Sequence, residues 1–336
     1  MRSALSAVGV ALVLSSGCGD DLAGADLGDP GDLPRVGSEE LSGEGPRAEP
    51  AAPPVAEVLV DDAALASDLR IAGDRLYWIA SGGAGYQLRS VAASGGPVTT
   101  VVELGALAPI DLVLHGAYVY WTTAGRRAGR LQRASLEQGG PAEVVYRDGA
   151  AAPTALAATL QFLYFAAADG CVWRIGEATG IERVSCGAGT PVVIAPGEPD
   201  VFWGTAEGAL YHAPADGGPA DRRITGESFQ SRLYIDDTSV YWLNAYARAV
   251  QVMERDAHGA KPLAAAQYAP VGMAMDGAHV YFTTQSDQSV KRVAKVSSPV
   301  DVLAGEQSDP ADIVLYADRA YWINEGDGTI MTLSIR

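Results

Sequence analysis

Four histidines, His115, His212, His258 and His279, are the obvious metal ligands and proton carriers of this 336-residue chain. Their spacing suits neither role. No two of them form an H-E-x-x-H pair, and each stands in a different neighbourhood of the chain. The acid-and-glycine run Asn324-Glu325-Gly326-Asp327-Gly328 has the composition of a calcium loop but lacks the full ligand spacing, and it reads as a turn. There is no Gly-x-Ser-x-Gly elbow and no phosphate-binding glycine loop. Cys171 and Cys186 are too far apart for a C-x-x-C redox pair. No metal, cofactor or catalytic residue is implied by motif. Any catalytic site would have to be assembled from residues dispersed along the chain.

What must position such residues is a repeat. Seven aromatic pairs run down the sequence: Tyr77-Trp78, Tyr120-Trp121, Tyr164-Phe165, Phe202-Trp203, Tyr241-Trp242, Tyr281-Phe282 and Tyr321-Trp322. Their intervals of 43, 44, 38, 39, 40 and 40 residues match the period of a four-stranded propeller blade. Neighbouring residues on a strand point to opposite faces of its sheet. Two adjacent aromatics therefore require both faces to be covered, as in a blade packed between two others. The rings read as core, not as a stacking platform for sugars or bases. Around each pair lie short apolar strands separated by Gly, Pro, Asn and Asp turns, with no sustained helical period. The expectation is an all-β, seven-bladed β-propeller with four-stranded blades. The last repeat offers only three strands, over 313–315, 320–323 and 329–335. Residues 55–60 resemble a fourth strand, and they are expected to pair with the C-terminal blade and close the ring.

The histidines then fall at the end of a first strand, in a third strand, in a third-to-fourth turn and in a first-to-second turn. Those are different levels of different blades. Cys171 and Cys186 fall at the start of a third strand and the end of the fourth, where antiparallel pairing sets the sulfurs side by side. A cross-strand disulfide is expected, with Trp173 opposite Val184.

Residues 1–17 read as an export signal, with Arg2 followed by an apolar run from Ala4 to Leu14. The small residues Ser15-Ser16-Gly17 before Cys18 resemble a bacterial lipoprotein signal, which implies acylation of Cys18. Ser15 stands where that family favours Leu, and the same residues suit ordinary signal cleavage. Residues 18–54 are rich in Gly, Pro and Ala. From Gly19 to Pro54 they carry nine acidic residues and two arginines, the composition of a disordered, self-repelling tether. The propeller is expected over 55–336.

A formal charge of −17 excludes a nucleic-acid surface, because the few basic pairs, such as Arg126-Arg127, sit in separate blades. If a binding site exists, the loops joining second to third strands and those joining one blade to the next gather around one end of the channel. They carry Arg126, Arg127, Glu207, Phe229, Tyr246, Arg248, Tyr268, Asp287, Glu325 and Asp327. Mixed charge with projecting aromatics suits a protein or peptide partner.

The run Asp236-Asp237-Thr238-Ser239-Val240-Tyr241-Trp242 resembles the YWTD propeller repeats of lipoprotein receptors, and still more the repeats of bacterial exported propellers of the VDxxxVYWT type. The resemblance covers 55–336. It departs from the receptors in having seven repeats, where they have six, and in having no Asp after the aromatic pair. It implies a lipid-anchored, cell-envelope scaffold that binds a protein or peptide without catalysis. The alternative is an exported propeller enzyme, a lyase or hydrolase similar to the virginiamycin B lyase group. Those lyases use His and Glu around a bound metal, a pattern that the scattered histidines do not provide.

Overall fold

The computed structural model describes residues 55–63, 65–83, 85–123, 129–137, 139–147, 151–229 and 231–336. The segments expected to form an export signal and a tether, with Cys18 expected to be acylated, and the pair Arg126-Arg127 lie outside the described residues. Seven four-stranded antiparallel sheets form the blades, over 67–105, 109–147, 153–186, 191–224, 234–264, 270–304 and 310–334. In six of them the strands pair in chain order, from the inner strand at the channel to the outer strand. The seventh takes its outer strand from Glu57–Val60, which pairs with Thr329–Ser334 in the register Val58↔Met331. Blade seven is thus built from both ends of the described chain, and its inner strand (Pro310–Tyr316) lies beside that of blade one (Ser67–Ala72).

The aromatic pairs do what their adjacency requires. The second ring of every pair is fully buried, as Trp78, Trp121, Phe165, Trp203, Trp242, Phe282 and Trp322. The first ring joins a different core from its neighbour. Tyr77 packs with Trp121, Tyr120 with Phe165, Tyr164 with Trp203, Phe202 with Trp242, Tyr241 with Phe282 and Tyr281 with Trp322. Tyr321 then packs with Trp78 and completes the circle. Each core therefore lies between two blades, fed by one face of each sheet, and no blade owns a core of its own.

The Asp ahead of the pair also has a reason. Asp236 Oδ1 accepts the backbone N–H of Thr238 (3.0 Å) and Ser239 (2.9 Å), while Oδ2 accepts the Tyr241 hydroxyl (3.0 Å) and the Lys295 ammonium of the next blade (3.0 Å). Asp276 repeats the first three bonds with Ala278, His279 and Tyr281. One carboxylate shapes the turn and fixes the ring that follows. Burial pushes Asp236 up, but the Lys295 ammonium and these hydrogen bonds outweigh it and hold the acid at about 2.

Cys171 and Cys186 pair across the third and fourth strands of blade three and form a disulfide. Trp173 faces Arg183 and not Val184, because a register shift between Val172 and Trp173 inserts one residue.

Candidate functional site

The loops between second and third strands and those between blades do gather at one end of the channel, but they use their side chains differently. Glu207 accepts the Thr190 N–H (2.9 Å), which ties its loop to the preceding connection. Asp287 accepts from Thr284, Ser289 (2.8 Å) and the buried Lys291 (2.5 Å), which also reaches Gln267. Asp327 accepts the backbone and hydroxyl of Thr329. Asp287 and Asp327 shape their own loops, while Glu207 joins two connections. Glu325 is raised by burial first, then by the charges of Asp312 and Asp309.

A second group is exposed to solvent. Tyr246 is 85% exposed and Tyr268 51% exposed, and the Arg248 guanidinium lies over the Tyr268 ring at 4.8 Å. The backbone bond from Gln267 N–H to the Arg248 carbonyl (2.7 Å) holds the two loops together. Leu65, Leu107, Ile110 and Val192 are exposed on the same end. Phe229 instead turns inward. It packs near Trp242, and its ring occupies the space a Cβ on Gly204 would need, 2.6 Å away.

Behind Phe229, the channel holds a charged network that the motif search did not find. The residue nine positions ahead of each aromatic pair lies on or at the start of the inner strand: Asp68, Asp111, Ala155, Val193, Arg232, Gly272 and Asp312. Asp111 Oδ1 accepts from Leu112 N–H (2.8 Å), and Oδ2 from Leu156 N–H of blade three (2.6 Å). Asp312 accepts from Leu69 N–H of blade one (3.2 Å). Both acids therefore staple neighbouring blades. Arg232, ahead of blade five, reaches across the channel. Its Nη2 donates to Asp111 Oδ1 (2.7 Å), the Leu112 carbonyl (2.8 Å) and Asp68 Oδ1 (3.3 Å). Arg70 donates to Asp68, to the Leu69 carbonyl (2.6 Å) and to the Leu112 carbonyl (2.9 Å). Asp68 itself takes a positive φ of 58°, and its Oδ2 is buried with no partner among the described residues. Burial pushes Asp111 up to about 7, against the two N–H groups that favour its charge, and Asp312 adds repulsion. Asp312 is itself raised by burial, against the attraction of Arg232. A cavity of about 230 Å³ opens on this network, and Ile110, Thr154, Val192, Val193 and Phe229 also line it.

The signal for this network was present as a column. Aligning the repeats on their aromatic pairs exposes three acids and one arginine at a single position. It was missed because single residues among small and apolar ones make no local motif.

The histidines fall elsewhere. His212 Nε2 lies 2.9 Å from Asp200 Oδ1 and its Nδ1 3.1 Å from Arg223 Nη2, an arrangement that suits a neutral ring donating to the carboxylate. His258 lies 3.4 Å from Asp221, and His279 sits beside Asp276 at a turn. None of the four lines the cavity. Among the described residues no group of His, Cys, Asp and Glu has a metal-holding arrangement. The side chains present do not fit a His–Glu metal centre.

No protein-family model matches the chain, and no curated protein matches it. Solved structures do. Virginiamycin B lyase from Staphylococcus aureus superposes with a TM-score of 0.64 at 12% identity, covering 84% of this chain and 99% of that one. BamB from Moraxella catarrhalis gives 0.54 at 14%, covering 78% and 82%. A nidogen/laminin complex gives 0.52 at 17%, covering 68% and 93%. The likeness is one of fold. It places the chain among β-propellers that include both an enzyme and a protein solved with its partner.

Proposed function

We propose that this chain is an exported, lipid-anchored propeller of the bacterial cell envelope that binds a protein or peptide through the Tyr246–Arg248–Tyr268 end. The exposure of that aromatic pair, with an arginine stacked on one ring, carries the reading. Tyr and Arg dominate binding energy at interfaces because each gives much contact area with a polar tip. The lipoprotein-like sequence before Cys18 and the acidic spacer after it support a tether. A nidogen propeller solved with laminin illustrates a partner-binding use of the fold.

The test is affinity capture from the host's membrane fraction after mild cross-linking, with a Tyr246→Ser/Arg248→Ser/Tyr268→Ser variant beside the wild type. A partner held by the wild type and lost by the variant supports the reading. Identical recovery from both overturns it. Metabolic labelling with a palmitate analogue, lost on Cys18→Ser, tests the anchor separately.

One observation favours the enzyme alternative. Asp111, titrating near 7 in a channel cavity, has the poise of a general acid–base. Turnover of a candidate substrate, abolished in Asp111→Asn while the fold is retained, would favour it over the scaffold.

A further inference from the structure

The channel cavity and its walls have a chemistry distinct from the exposed Tyr246–Tyr268 patch. Five charged side chains line the cavity: three carboxylates, Asp68, Asp111 and Asp312, and two guanidinium groups, Arg70 and Arg232. Both guanidinium groups are committed to the frame. Arg70 engages backbone carbonyls and Asp68, and Arg232 spans to Asp111, Asp68 and the Leu112 carbonyl. The acids outnumber the cations by one. Asp68 Oδ2 adds an acceptor that is buried, unpaired among the described residues, and held by a backbone in the left-handed region. That atom is closed off from the cavity space, and the carboxylate left to meet a ligand is that of Asp312, which accepts the Leu69 N–H and lies in the lining. Ile110, Val192 and Phe229 add apolar lining, beside the hydroxyl-bearing Thr154 and Ser231, and Ile110 (48% exposed) and Val192 (38% exposed) are reachable from outside.

We propose that this cavity binds an organic cation on an apolar stem, an alkylammonium or alkylguanidinium group. Its N–H donors meet the Asp312 carboxylate, and its methylenes lie against Ile110, Val192 and Phe229. The charge of the head offsets the surplus carboxylate, which a neutral or anionic ligand does not. At roughly 30 Å³ for each water-sized group, a 230 Å³ cavity accommodates about seven or eight heavy atoms. That is the size of one lysine or arginine side chain, or of a free amine of similar length. The site stands independently of the Tyr246–Tyr268 reading.

Calorimetric titration of the mature chain at pH 7.5 tests it, with n-butylammonium, n-butylguanidinium, n-butanol and butyrate as probes. The two cations are expected to bind in the millimolar range, and the alcohol and the carboxylate not at all. Asp312→Asn should weaken the cations at least fivefold. Because Asp312 also staples two blades, Val192→Lys is the second variant. It places a tethered cation at the rim without touching the network, and should abolish binding while the fold is kept. Tyr246→Ser/Tyr268→Ser should leave binding unchanged, which separates this site from the partner surface. Nα-acetyl-lysine amide and a Gly-Lys-Gly peptide distinguish the sources. Tighter binding of these than of butylammonium assigns the site to a peptide-borne side chain, and equal or weaker binding assigns it to a free amine. Binding of butyrate in place of the cations, an equal response to potassium ion alone, or no binding by either cation would overturn the proposal.

Discussion

Replacing Arg232 with methionine removes a side chain that crosses the channel and keeps most of its volume. Three hydrogen bonds go, to Asp111, Asp68 and the Leu112 carbonyl. Three carboxylates are left facing Arg70 alone. Removing one partner of a buried ion pair costs about 3–5 kcal/mol. Two features reduce that here. Arg232 keeps 28% of its side-chain exposure, and Asp111 can take up a proton. A cost of about 2 kcal/mol at pH 8.5 follows, or about 4–6 °C in Tm. The pH dependence is the sharper test. Asp111 is held near 7 in the native chain, above the unfolded carboxylate at about 4. Between those values the native state binds a proton that the unfolded state does not, so stability falls as pH rises through the window. Loss of Arg232 pushes Asp111 higher still and carries this decline above pH 7. At pH 5.5 the acid is protonated with or without Arg232, and the cost shrinks to about 1 kcal/mol. Urea unfolding followed by tryptophan fluorescence at both pH values measures the difference. An equal cost at pH 5.5 and 8.5, or less than about 0.5 kcal/mol at pH 8.5, would refute the strut.

Three further outcomes are expected. Asp236, held at about 2 partly by Lys295, contributes stability above its unfolded pKa that is lost as pH falls towards 2. Lys295→Met should therefore raise the pH midpoint of acid unfolding seen by near-UV circular dichroism, and an unmoved midpoint would contradict the latch. Cys171→Ser/Cys186→Ser releases a cross-link of sequence separation 15, worth about 3 kcal/mol by loop-closure entropy. An unchanged Tm in the double variant would show that the disulfide contributes nothing. Deleting Glu57–Val60 removes the outer strand of blade seven together with Val60, which packs in the Trp78–Tyr321 core. The shortened chain should melt lower and associate through the exposed 329–334 edge, and a monodisperse, equally stable product would count against that role.

The Tyr246, Arg248 and Tyr268 group was legible in the sequence as aromatic and basic residues in two classes of loop expected at the same end of the channel. Its exposure could not be read there, and neither could the diversion of Asp287 and Asp327 into bonds within their own loops and of Glu207 into a bond with the preceding connection. Those acids look identical to binding residues until the turn that each one closes is known. Phe229 was placed in the right connection but pointed the wrong way. Only the missing Cβ of Gly204, in the adjoining blade, makes room for its ring.

The architecture could be read directly because its determinant is local and repeated. Two adjacent aromatics state in two residues that both faces of a strand are covered, and seven repetitions leave one way to cover them. The cross-strand cysteines follow from the same arithmetic, save for the single-residue register shift that sets Trp173 against Arg183. The channel network depends on the opposite kind of information. Arg232 meets Asp111 across 121 positions of sequence and Asp68 across 164. No window of the chain contains such a contact. The ring alone brings these charges together, and the low-dielectric channel it encloses converts an ordinary aspartate into one that holds its proton near neutrality.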